Sequence, residues 1–177
     1  MNTMKKYNLG LVLGRFQLFH IGHEAIINKS IENCKKTLIL IGSSDKENSY
    51  INPFSYSFRE KIIKEIYGNS VIIRPLMDLG VGNVPSWGDY VINSAIKYYG
   101  MPDCIIYGEE DKCKSWYSNY PNLNYIIVSR EEIEISSTLL KKYILEDNYQ
   151  MFNKYVNPKL NKYYNVYKNK LISLKNR

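Results

Sequence analysis

The stretch LGLVLGRFQLFHIGH, residues 9–23, runs from unbroken apolar residues through a glycine and an arginine to two histidines three positions apart. Its first part, Leu9 to Leu13, shows no alternation of apolar and polar residues. A strand that is apolar throughout has both faces covered, as parallel strands in an α/β sheet do. Gly14 and Arg15 end the run. Beyond them His23, Ile26, Ile27, Ser30, Ile31 and Cys34 fall on one helical stripe. Strand, glycine turn and amphipathic helix in that order predict the first half of a βαβ unit.

The same punctuation recurs along the chain. TLILIG from Thr37, SVIIR from Ser70, CIIYG from Cys104 and YIIVS from Tyr125 read as four more strands, each expected to be covered on both faces. Between them lie a second stripe, Phe58, Ile62, Ile63, Ile66 and Tyr67, and a third, Val91, Ile92, Ala95, Ile96 and Tyr99. Alternating strands and helices predict a Rossmann-like, doubly wound, five-stranded parallel sheet. From Ser136 the pattern is helical alone, with Leu139, Leu140, Tyr143 and Ile144 on one face, and Pro158 is expected to start the last helix. The expectation is one domain, residues 1–177, made of an α/β core (1–135) and a helical tail (136–177). Ligands of doubly wound sheets bind beyond the carboxyl ends of the strands, so the loops at Gly14, Gly42 and Gly108 are where chemistry is sought.

The net charge of +7 favours anionic partners without choosing among them. Cys34, Cys104 and Cys113 form an odd set without a CxxC pair, which argues against a disulfide framework or a zinc site and for a reducing compartment. The apolar run near the amino terminus is too short for a signal peptide, and no stretch approaches the roughly 18 apolar residues of a membrane span. A cytoplasmic protein without membrane contact is expected. The basic, Tyr-rich tail with Lys159, Lys162, Lys168, Lys170 and Lys175 reads as a solvated amphipathic helix that closes the domain or pairs subunits; nucleic-acid contact is the weaker alternative. The acidic run Glu109, Glu110, Asp111 reads as a helix amino terminus, and no metal ligand set is expected there.

His20 and His23 are the only histidines. Three apart at the start of a helix, both reach one side of its first turn, where unpaired backbone N–H groups and the positive dipole end gather. Gly22 between them lets a phosphate approach the backbone, and Arg15 adds a fixed charge. The plainer reading is that the two rings only cap the helix.

GRFQLFHIGH, residues 14–23, resembles the GRFQPFHxGH signature of the archaeal and bacterial nicotinamide mononucleotide adenylyltransferases, members of the HxGH nucleotidyltransferase superfamily. Three further segments match in order. IGSSDKENSYINPFSYSFRE resembles the family's IGSA segment with its NPF and following Arg, NVPSW its asparagine and tryptophan loop, and ISSTLLKK its ISSTxIR motif. The resemblance covers roughly residues 7–165. It implies joining of ATP, with Mg²⁺, to nicotinamide mononucleotide, giving NAD and pyrophosphate, in a homo-oligomer.

By that resemblance His20, His23, Arg15 and Lys141 act catalytically, while Gly14, Phe16, Gly22, Gly108, Ser137 and Thr138 hold ATP, with Arg59 facing ATP or ion-paired on a solvated helix. Gln17, Asn83 and Trp87 receive the pyridine nucleotide, the indole as a stacking platform and Asn83 as a carboxamide partner, and Glu109 lies near the adenosine. Three positions depart from the pattern: Leu18 stands for Pro, Lys141 for Arg, and Ile51 for a commonly basic residue. Rival readings are the same chemistry on nicotinic acid mononucleotide, flavin mononucleotide or a phosphorylated alcohol, and a nucleotide-binding protein with weak turnover.

Overall fold

In the computed structural model, which describes residues 4–82, 84–108, 113–129 and 133–176, the five expected strands form a single sheet. They are β1 (Tyr7–Gly14), β2 (Cys34–Ile41), β3 (Ile72–Pro75), β4 (Cys104–Gly108) and β5 (Asn124–Val128). All pairings are parallel, in the order β3-β2-β1-β4-β5. Helices α1 (Ile21–Asn33), α2 (Tyr56–Tyr67), α3 (Pro85–Tyr98) and the short α4 (Cys113–Trp116) alternate with the strands; α5 (Ser137–Leu145), α6 (Tyr149–Tyr155) and α7 (Tyr164–Lys175) follow.

The unbroken apolar strands do what their composition demands. Successive side chains point to opposite faces, so Ile39 and Ile41 enter one core cluster with Ile26, Ile27, Ile62 and Ile63 of α1 and α2. Leu38 and Leu40 enter the other, with Val91, Ile92 and Ala95 of α3. All four β2 side chains are fully buried, each worth roughly 1.5–3 kcal/mol of transfer free energy. Because β1 is followed in the chain by β2 on one side and β4 by β5 on the other, the chain leaves these neighbouring strands in opposite directions. The crevice so opened at their carboxyl ends is where such sheets take ligands.

Several expectations shift at element ends. Cys34, placed on the first helical stripe, begins β2 instead, because its backbone is extended (φ −119, ψ 142). Ser70 belongs to a 3₁₀ turn, Gly68–Ser70, that delays β3 to Ile72. Ile96 and Tyr99, assigned to the apolar face of α3, are 48% and 49% exposed, so that face is narrower than the periodicity implies. β5 lies at the sheet edge and is not covered on both faces: Ile127 is 47% exposed. Pro158 opens a 3₁₀ segment, Pro158–Tyr163, and α7 starts only at Tyr164.

The tail is part of the core. Phe152, Val156, Leu160, Tyr163, Tyr167 and Leu171 join the cluster under α1 and α2, and the Tyr167 ring meets Phe54 edge-on at 5.3 Å. Its lysines are partly engaged at home, Lys162 with Glu65 and Lys168 with Asp147. No helix among the described residues is long and apolar enough to cross a membrane.

Candidate functional site

The two histidines cap α1 in an unusual way. His20 precedes the helix with extended backbone (φ −145, ψ 171), and its Nδ1 accepts the Gly22 N–H at 3.1 Å. His23 reaches back so that its Nδ1 accepts the His20 N–H at 3.4 Å. This is a capping box built from imidazoles. The rings stack at 3.8 Å with 21° between planes. A ring nitrogen that accepts carries no hydrogen, so in the neutral rings the hydrogen sits on Nε2 of both, the atoms that can donate to an anion. Gly22 also serves the cap: a Cβ there would lie 3.0 Å from the Cε1 and Nδ1 of His20, so its absence admits the capping ring. His20 is buried and His23 half-buried.

The turns that leave β1 and β2 adjoin this helix start. Gly42 N–H donates to Gly14 O at 2.9 Å, locking the two strand ends together. Phe16 and Ser43, one in each turn, are both left-handed (φ 51 and 47), a conformation costing a non-glycine residue roughly 1–2 kcal/mol. The Phe16 ring, expected at ATP, is buried: it lies over Gly14, where a Cβ would come within 2.7 Å of its Cζ, and packs at 5.1 Å from the His23 ring. The Phe16 ring is therefore engaged within the core. Gln17, expected at the pyridine nucleotide, is 5% exposed and committed elsewhere. Its Oε1 accepts the Phe54 N–H at 2.9 Å and its Nε2 donates to Asn52 Oδ1 at 3.3 Å, pinning the Asn-Pro-Phe segment to the first turn. Arg59 neither faces solvent nor forms a surface ion pair; it is 1% exposed beneath both turns.

A cleft of about 400 Å³ opens at the carboxyl edge. Gly14, Arg15, Gly42 and Ser43 form one side; Asp78 and Gly82 of the loop after β3 and the indoles of Trp87 and Trp116 form the other. Trp87, at the head of α3, is half-buried, tilted against Tyr90 at 5.5 Å and edge-on to Trp116 at 6.4 Å. Trp116 is not found by periodicity, because its four-residue helix has none of its own. The signal lies in Gly88, whose absent Cβ would meet the Trp116 carbonyl oxygen at 1.7 Å, so α3 and α4 touch backbone to backbone. The histidines do not line this cleft; the Phe16 ring lies between Gly14 on its wall and His23. Gly108 ends β4 opposite Val128, while Asn83 and the acidic run from Glu109 to Asp111 lie outside the described residues.

The amino end of α5 lies close to that of α1. Ser136 caps it, its Oγ accepting the Leu139 N–H at 3.1 Å, and Ser137 Oγ is 3.5 Å from Leu18 O in the histidine loop. Thr138 is exposed. Lys141, one turn on and expected at the phosphates, is held within the protein. It is 8% exposed, its Nζ donates to Tyr50 O, and it sits 4.8 Å over the Tyr50 ring. Burial, and then the charge of Arg15, hold its pKa below the ordinary lysine value. Burial likewise lowers Arg59, to about 10, with Arg15 adding to the shift, so it stays charged at neutral pH. Among the described residues no carboxylate forms a salt bridge with Arg15, Arg59 or Lys141. Arg15 repels both Arg59 and Lys141, with Asp45 and Glu47 offsetting part of the charge at Arg59; beside two helix amino termini such a cationic region attracts anions.

Sheet, switch point and cation cluster together define a doubly wound α/β protein with a cationic carboxyl edge. The sequence profile of the cytidylyltransferase-like family matches residues 11–143, and the chain belongs to that family. It is similar to the nicotinamide-nucleotide adenylyltransferase of Saccharolobus solfataricus, 33% identical over 95 residues that cover 50% of this chain and 54% of the relative. The enzyme of the same description from Methanococcus aeolicus is 36% identical over 84 residues, 46% of this chain and 48% of the relative. The chain thus spans about half the length of the curated relatives it matches. In fold it is similar to a bifunctional NMN adenylyltransferase/ADP ribose pyrophosphatase from Francisella tularensis, complexed with AMP and a manganese ion. The TM-score is 0.74 at 24% identity, over 96% of this chain and 53% of that one.

Proposed function

We propose that the chain joins ATP to nicotinamide mononucleotide, forming NAD and releasing pyrophosphate. The observation that carries the proposal is the imidazole capping box: two Nε2–H donors stacked at 3.8 Å on the amino end of α1, beside Arg15 and Lys141. The similarity to adenylyltransferases of S. solfataricus and M. aeolicus supports the acceptor.

The reaction needs little proton transfer, because the acceptor's phosphate oxygen is already an anion. That oxygen attacks the α-phosphorus of ATP, a new P–O bond forms, and the bond to the β-phosphate oxygen breaks with its electron pair leaving on pyrophosphate. The protein must bring two anions into line and neutralise the charge that grows on the leaving group. In this reading the polyphosphate runs from the α1 amino end, where His20 and His23 donate from Nε2 and the Ser137 and Thr138 end of α5 faces it, to the turns after β1 and β2 on the cleft wall. Lys141 exchanges Tyr50 O for a phosphate oxygen. Gly108 gives the nucleotide close access to the end of β4, Gly14 makes room for the Phe16 ring beside it, and Arg15 bridges the two anions. Mg²⁺ enters as part of the ATP substrate. The pyridine ring takes the Trp87 face of the cleft, with Trp116 edge-on behind it. Residues 136–177 belong to the same working unit, since α7 packs under the turn that Gln17 holds.

The test is an assay with ATP, Mg²⁺ and each candidate mononucleotide, following pyrophosphate and dinucleotide. Dinucleotide from the nicotinamide acceptor at a higher kcat/KM than from nicotinic acid or flavin mononucleotide supports the proposal. Tight ATP binding without product from any acceptor overturns it in favour of a nucleotide-binding protein.

A further inference from the structure

Arg59 sits in α2 with 1% of its surface exposed, among the largest fully buried side chains, and it meets carbonyls instead of a carboxylate. Its Nη1 donates to Arg15 O and to Gly42 O, both at 2.8 Å, and its Nη2 to Ser43 O at 3.0 Å. Nε closes on Ser55 O of its own helix cap at 3.2 Å. One planar fork therefore holds the turn after β1 and the turn after β2 at once. Those are the turns that contain the left-handed Phe16 and Ser43.

The orientation of these carbonyls has a direct consequence. In a planar trans peptide the C=O and the following N–H point in opposite directions. With Arg15 O, Gly42 O and Ser43 O drawn to the guanidinium, the N–H groups of Phe16, Ser43 and Ser44 point away from it. Ser44 N–H is taken by Leu76 O at 3.0 Å. The other two belong to peptides that leave Arg15 and Gly42, both on the cleft wall.

We infer that Arg59 is a positioning residue for polyphosphate recognition: from below it holds two left-handed turns so that the Phe16 and Ser43 amides face an anion in the cleft. The inference rests on the adenylyl-transfer reading for the identity of the anion and deepens it. Arg59 touches no substrate. A lysine there keeps a charge but has no planar fork with which to span carbonyls from two turns.

The experiment compares wild type with Arg59→Lys and Ser43→Val, titrating inorganic tripolyphosphate and, separately, adenosine, alongside thermal melts. Ser43→Val leaves the guanidinium in place but puts a β-branched residue where the left-handed conformation is needed, so it separates geometry from charge. Both variants are expected to bind tripolyphosphate on the order of tenfold more weakly while adenosine affinity is unchanged. Unaltered tripolyphosphate binding in Arg59→Lys overturns the inference. So does an equal loss of both ligands, the sign of a merely structural role, and if Arg59→Lys does not fold, Ser43→Val decides the matter by the same two titrations. Arg59-dependent tripolyphosphate binding in a protein that forms no dinucleotide would defeat the proposed reaction and leave this inference standing.

Discussion

Replacing Gly88 by alanine tests whether the wall formed by Trp87 and Trp116 reads the pyridine ring. The new methyl would lie 1.7 Å from the Trp116 carbonyl oxygen and 2.4 Å from its carbon, backbone atoms that cannot rotate aside. Restoring ordinary contact near 3.5 Å forces α3 and α4 apart by roughly 1.5–2 Å along that line. Overpacking of this kind costs about 1–3 kcal/mol, and for a chain of this length each kcal/mol lowers Tm by about 2–4 °C. A fall of roughly 2–12 °C is therefore expected, with the fold retained. The functional effect is more selective. Trp87 and Trp116 are 6.4 Å apart and edge-on, so a shift of that size opens the ring slot while the histidine cap, on the opposite face of the sheet, is untouched. Steady-state kinetics should show KM for the mononucleotide rising on the order of tenfold, what one aromatic pairing is worth, with KM for ATP nearly unchanged. Equal rises in both constants, or a lowered Tm with both constants intact, would refute the placement of the mononucleotide against these indoles.

Three other outcomes follow from particular contacts. Gln17→Leu leaves the Phe54 N–H without its acceptor and should cost about 1–3 kcal/mol while leaving the preference between amidated and acid mononucleotides unaltered; a changed preference at unchanged Tm would return Gln17 to the acceptor site. Because burial and Arg15 depress Lys141, its proton leaves below the ordinary 10.5, so ATP affinity should fall as pH rises toward that value. In Lys141→Arg the fall should move to higher pH, since arginine keeps its charge; Arg59 is the same in both proteins and cancels in the comparison, and superimposable alkaline limbs would remove Lys141 from the phosphates. His23→Ala is expected to lower kcat on the order of a hundredfold with far less change in KM for ATP, since the charge it meets grows in the transition state, and an unchanged kcat ends its catalytic role.

The strands and the first two helices were legible because burial on both faces writes itself as unbroken apolar runs, and burial on one face as a helical stripe. The histidine pair was legible by spacing, although the actual arrangement, each Nδ1 folded back on a backbone N–H, depends on the extended backbone of His20. What the sequence concealed has one physical cause: side chains that act across the sheet edge leave no local periodicity. Arg59 bonds residues 16 to 44 positions away, Gln17 holds a segment 35 to 37 positions on, and Lys141 finds Tyr50 across 91. A polar residue type gives no hint that it will be buried until its partners are assembled. Trp116 was hidden for the same reason, its place fixed by contact with Gly88.

The two histidines are the only ones in the chain, so selective ¹⁵N-histidine labelling reports on the capping box alone. Two-bond ¹H–¹⁵N spectra distinguish an Nδ1 that accepts from an Nε2 that carries hydrogen. Both rings are expected as the Nε2–H tautomer in the free protein, with both Nε2 resonances moving together on titration with ATP and Mg²⁺. An Nδ1–H tautomer in either ring, or signals that stay still while ATP binds, would contradict the claim that this cap is what receives the phosphates.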